Sequence, residues 1–130
     1  MLCARCVYPT ALIPTTHHPA PPRPPAPPAQ VWDIRMPERE LAALYGHSYA
    51  VRRVLFSPHA PTVIASCSYD MTVRLWDYAA PEDALLRMWD HHSEFAVGLD
   101  FSVLTEGLLA SAGWDDTTWV WHQSQDPRGG

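Results

Sequence analysis

The sequence predicts an all-β fold built from repeated sheets, and three observations carry that reading. Tryptophan recurs at a fixed spacing: Val31-Trp32-Asp33, Leu75-Trp76-Asp77 and Val120-Trp121-His122 lie 44 and 45 residues apart. Inside that period other marks keep register, since Phe56 and Phe101 each precede an acidic turn residue, Asp70 or Asp115, by 14 positions, and His47 and His92 each stand nine before their Phe. Between the marks, short runs of strand formers alternate with turn residues, a pattern of strands and not of longer helices with a 3.6-residue repeat.

Taken in order, the first 30 residues hold nine of the 14 prolines. In His17 to Pro28 each proline fixes φ and removes a backbone donor, so a disordered or polyproline segment is expected, with a boundary near Gln30. Val31 to Arg35 then reads as a remnant strand, followed by repeats over 38–77 and 82–122. Within them strands are expected at Val51 to Phe56, Val63 to Cys67, Thr72 to Trp76, Ala84 to Trp89, Ala96 to Phe101, Leu108 to Ala112 and Thr117 to Trp121.

A period in the low forties, a Gly46-His47 pair before the first strand and a Trp-Asp at the end of the third resemble the blades of a WD-repeat β-propeller. In that architecture the fourth strand of each blade comes from the start of the next repeat. Only Val51 to Trp89 then supplies a whole blade, and Thr117 to Trp121 is left as an open edge carrying Trp119, Val120 and Trp121. A ring of about seven blades would need earlier repeats, so the chain reads as a propeller fragment that is marginal or prone to associate when isolated.

The resemblance also implies a buried hydrogen-bonded chain in each repeat, made by His47, Ser66, Asp70 and Trp76, and again by His92, Ser111, Asp115 and Trp121. Indole, hydroxyl, imidazole and carboxylate would each find a partner. Ser, His and Asp together also suggest a hydrolase triad, but no G-x-S-x-G elbow accompanies them and the set occurs twice at one period, so no enzyme is expected. Cys3 and Cys6 with His17 and His18 could be written as a zinc site, yet nothing in the surrounding sequence would fix the ligands, and no metal or cofactor is expected. His91 falls where the first repeat has Gly46, and Arg52-Arg53 reads as a solvated pair.

Charge narrows the partners. Residues 31–130 carry seven Arg against fourteen acids, and the chain has no lysine. That surface disfavours nucleic acid and suits an Arg-bearing peptide. Three cysteines argue against a disulfide framework, and no apolar run is long enough to span a bilayer, so a cytoplasmic chain without membrane insertion is expected.

Longer strings are more specific. GHSYAVRRVLFSPHAPTVIASCSYDMTVRLWDY and DHHSEFAVGLDFSVLTEGLLASAGWDD resemble the closing repeats of the receptors for the type-2 peroxisomal targeting signal, the peroxin-7 family, and EGLLASAGWDD and VWHQ are most like the plant form. The resemblance covers about residues 31–128. It implies a cargo receptor that binds a nonapeptide, Arg/Lys-Leu-x5-His/Gln-Leu, near the N-terminus of matrix proteins, with the type-1 signal receptor as co-receptor and the peroxisomal docking complex as a further partner. It also implies shuttling between cytoplasm and peroxisome. By register the signal-peptide residues would be Tyr69 and Trp114, just before each turn Asp, with Tyr49, Glu94 and Phe95 on the neighbouring loops, where Glu94 would meet the signal's Arg. A generic WD-repeat scaffold for another complex is the alternative.

Overall fold

The computed structural model describes residues 2–6 and 26–129. Runs of five or six residues, each closed by a turn, form β1 Leu2–Cys6, β2 Ala29–Asp33, β3 Glu40–Leu44, β4 Val51–Phe56, β5 Val63–Ser68, β6 Val73–Asp77, β7 Leu85–Trp89, β8 Ala96–Phe101, β9 Leu108–Gly113 and β10 Thr118–His122. A 3-10 turn, Pro81–Asp83, precedes β7. All pairings are antiparallel, in three sheets ordered β1-β2-β3, β4-β5-β6-β7 and β8-β9-β10.

The sheets pack side by side, with β4 and β5 against β8 and β1 against β4. The middle sheet is therefore covered on both faces, and the two-residue period of its strands divides the side chains between two cores. Ile64 and Trp76 face the first sheet, where they join Ala29, Val31, Ala42 and Leu44. Ala65, Cys67, Val73 and Leu75 face the third, meeting Ala96, Leu99, Leu109 and Trp121. Double burial explains why β5 reads Val-Ile-Ala-Ser-Cys-Ser, with small residues that let the sheets approach. The repeats share their irregularities as well, since the β4/β5 register shifts between Val51 and Arg53 and the β8/β9 register between Ala96 and Gly98.

The all-β WD-repeat architecture expected from the period is thus present, with one complete four-stranded blade flanked by two three-stranded ones. Several boundaries move for local reasons. Thr72 and Thr117 are held in turns, each donating its amide and hydroxyl to the preceding Asp70 or Asp115, so β6 and β10 start one residue later than expected. The remnant strand shifts from Val31–Arg35 to Ala29–Asp33 because Asp33 captures the Arg35 amide at 3.0 Å and its guanidinium at 2.6 Å, which turns the chain. β3 was not expected, as Glu-Leu-Ala-Ala-Leu favours helix. Pairing with β2 and burial of Ala42 and Leu44 on one face override that propensity.

One expectation is corrected. The first 30 residues are not uniformly without structure, because Leu2–Cys6 form a strand on β2, and Ala29 and Gln30 already belong to β2 itself. The physical reason is the exposed ladder of β2, an edge that a short apolar segment can fill. Residues 7–25, with His17 and His18 of the considered zinc site, lie outside the described residues; Cys3 is an exposed free thiol.

Candidate functional site at the turn rim

Each repeat places a His on the loop before its first strand, a Ser in its second strand and an Asp at the turn into its third. In the middle blade Trp76 Nε1 donates to Ser66 Oγ at 2.8 Å, Ser66 lies 2.7 Å from His47 Nε2, and His47 Nδ1 lies 2.9 Å from Asp70. All donors are consistent if Nδ1–H of His47 points at the carboxylate and Nε2 accepts from the serine. Asp70 also receives the Ser48 amide and the Thr72 hydroxyl. Burial alone would raise its pKa, but the hydrogen bonds from His47 and Thr72, the His47 charge and the Ser48 amide outweigh it and hold the carboxyl well below the ordinary range.

The third blade repeats the arrangement with one exchange. His92 Nδ1 lies 2.9 Å from Asp115 and its Nε2 2.8 Å from Ser111 Oγ. Asp115 is likewise held low, where burial is outweighed by the Thr117 hydroxyl, the Ser93 amide and His92. Trp121, expected to complete the chain, does not: its buried Nε1 has no partner among the described residues. His91 takes its place, with Nε2 2.9 Å from Ser111 Oγ and its ring packed on Trp121 and Trp119. Because Ser111 donates to His92, its oxygen accepts from His91, which leaves His91 Nδ1 buried and bare. His91, which register aligns with Gly46, is thus a network member that the sequence reading did not include.

The reason lies in the residue pairs that differ between repeats. In the middle blade Arg74 lies over Trp76 and passes against Gly46, where a Cβ would sit 2.5 Å from its Nη1. In the third blade Trp119 stands in the register of Arg74, so an imidazole can occupy the space that Gly46 must leave empty. Arg74 and Trp119 both donate to the Thr two positions earlier, at 3.2 and 3.0 Å. These Thr contacts were missed in the sequence, although Asp-x-Thr recurs at 70–72 and 115–117 and could have signalled them.

Both serines are buried, and their oxygens are already engaged within the network. The arrangement holds loops in place and offers no hydroxyl to a substrate. What it holds is the rim above it. Tyr69 and Trp114 sit just before the two turn Asp residues; their amides donate to the Ala50 and Phe95 carbonyls at 3.1 and 3.0 Å. The turns are tight enough to put Met71 and Asp116 at positive φ, 67° and 58°.

Across the gap between blades, Tyr69 meets Phe95 at 4.8 Å between ring centroids, Phe95 meets Trp114 at 5.2 Å, and Tyr69 and Trp114 stand 6.3 Å apart. The cluster is anchored by partly buried Tyr69 and Phe95 and ends in Trp114, which is 62% exposed. Glu94 beside it is exposed and makes no ion pair among the described residues, and Tyr49 stands exposed on the equivalent loop of the middle blade. Four of the five anticipated rim residues therefore lie on or next to one cluster, and Tyr49 lies on the corresponding loop of the neighbouring blade.

Comparison with known proteins agrees with the repeat fold. The model of the WD domain, G-beta repeat, matches residues 38–77. Peroxisome biogenesis protein 7 of Arabidopsis thaliana is 62% identical over 88 residues, covering 68% of this chain and 27% of that protein. The peroxisomal targeting signal 2 receptors of Dictyostelium discoideum and Mus musculus are 50% and 48% identical, covering 57% and 65% of this chain and 23% and 26% of theirs. The chain thus spans about a quarter of the length of these relatives. Among solved structures, the computationally designed Ika8 protein matches with a TM-score of 0.61 at 29% identity, over 73% of this chain and 27% of its own. The chain carries WD repeats of the kind found in the peroxisomal targeting signal 2 receptors.

Proposed function

We propose that the chain supplies part of a cargo receptor for the type-2 peroxisomal targeting signal, and that its rim is where the signal peptide docks. The observation that carries this reading is the cross-blade cluster of Tyr69, Phe95 and Trp114 beside the exposed carboxylate of Glu94, which has no ion pair among the described residues. An amphipathic signal helix lays its leucines on such rings and its Arg against such a carboxylate. The names of the relatives support the choice of cargo. Delivery from cytoplasm to peroxisome, with the type-1 signal receptor as co-receptor and the peroxisomal docking complex as destination, belongs to the same proposal.

The reading is tested by measuring signal-peptide affinity in a full-length receptor carrying Glu94→Lys at the matching position. The expected result is a loss of about tenfold or more, from one missing charge-assisted contact and a new like-charge repulsion. Unchanged affinity in a normally folded variant removes Glu94 from the site.

A further inference from the structure

The first sheet contains a strand from a distant part of the sequence, β1, and its register assigns it a place. Against β2, Leu2 faces Asp33, Ala4 faces Val31 and Cys6 faces Ala29. Against β6, the second strand of the middle blade places Val63 opposite Asp77, Ala65 opposite Leu75 and Cys67 opposite Val73. In the third blade, Leu108 faces His122 and Ala110 faces Val120. Aligning Asp33, Asp77 and His122 therefore lays Leu2-Cys3-Ala4-Arg5-Cys6 on Val63-Ile64-Ala65-Ser66-Cys67 and on Leu108-Leu109-Ala110-Ser111-Ala112. Each is a short, mostly apolar string with Ala at its centre. Packing agrees with register, since β1 lies against β4 as β5 lies against β8.

We infer that Leu2–Cys6 serves as the second strand of the first blade, an in-chain surrogate that completes its interior by strand addition. The chemistry of the one mismatch supports this. Where the other two second strands carry the network serine, β1 carries Arg5 at the same register position. Trp32 occupies the position of Trp76, and its buried Nε1 has no partner among the described residues. In the middle blade that donor goes to Ser66. Trp121 is also without a partner, but there the serine is present and engaged by His91. An orphaned Trp32 is what a second strand without that hydroxyl leaves behind.

Strand addition of this kind works through main-chain hydrogen bonds, with alternate side chains setting register. It gives Leu2–Cys6 a definite task, the covering of the edge of β2.

Two variants of the whole chain test the inference. Cys3→Pro combined with Ala4→Pro removes adjacent donors, one of which must point at β2 in an antiparallel ladder. Hydrogen exchange should then accelerate at least tenfold at alternate amides of β2 while β5 and β6 keep their protection. Arg5→Ser does the opposite, restoring a hydroxyl at the register of Ser66, and should raise Tm by about 4 °C as Trp32 gains an acceptor. Unchanged exchange in β2 with both prolines in place, or a Tm that stays level or falls with Arg5→Ser, overturns the assignment. The second measurement decides the matter if the proline variant unfolds throughout.

Discussion

Single residues in this molecule act through what they leave paired or unpaired. His47 joins a hydroxyl to a carboxylate, and both its ring nitrogens are in use. Asp70→Ala strips the partner from one of them and from the Ser48 amide, so it should cost about 2 kcal/mol in unfolding free energy, read as a lower denaturant midpoint at constant slope. His91 is the opposite case, a buried imidazole with one bare nitrogen. Its pKa is pushed from 6.5 down to about 4, first by burial and then by the charges of His92 and Arg128, against weaker pull from Asp126 and Asp115. A lowered histidine pKa means the unfolded chain binds the extra proton first. The stability contributed by keeping His91 neutral is full above about pH 6.5 and is lost as pH falls toward 4. Removing the titrating group with His91→Phe should flatten the stability profile across that window, on the order of 2 kcal/mol. Asp70 and Asp115 remain outside it, since their depressed values place their loss below the ordinary 3.8.

At the scale of the strand and turn, the two repeats solve one packing problem with different pairs. Gly46 with Arg74 in the middle blade corresponds to His91 with Trp119 in the third. Gly46→His alone drives a ring into the Arg74 guanidinium and strains a backbone held at φ 153°, so it should destabilise by about 3 kcal/mol, whereas adding Arg74→Trp should relieve the clash and leave the backbone strain. A double-mutant cycle on unfolding free energy measures that coupling. Much of this level was legible in the sequence. Short runs of strand formers bracketed by turn residues placed β4 and β8 to the residue. β3 was hidden because Ala and Leu favour helix and only its partner β2 makes it a strand. β1 was hidden by the prolines that follow it, which say nothing about the five residues before them. The part His91 plays was hidden because register alone aligned it with a glycine, and the space it fills is opened by a change at position 119, far away in sequence.

Across the whole molecule, three sheets packed side by side turn a linear repeat into a surface. The rim residues were legible one at a time, as the positions before each turn Asp, but their convergence was not: Tyr69 comes from one blade, Phe95 and Trp114 from the next, and only the stacking brings the rings within 6.3 Å of each other. Burial of the networks beneath fixes that rim, while Leu86, Met88 and Val120 stay exposed on the outer strands β7 and β10. The molecule thus presents an ordered aromatic patch at one end and plain apolar edges around its side. Photo-crosslinking distinguishes them directly, using a type-2 signal peptide with a benzophenone at its first leucine, incubated with a full-length receptor that carries these residues and mapped by mass spectrometry. The rim account predicts adducts on the peptides that carry Tyr69, Phe95 and Trp114, suppressed by excess unlabelled signal peptide. Adducts confined to the outer strands around Leu86 and Val120, or yields that the unlabelled peptide does not reduce, would contradict it.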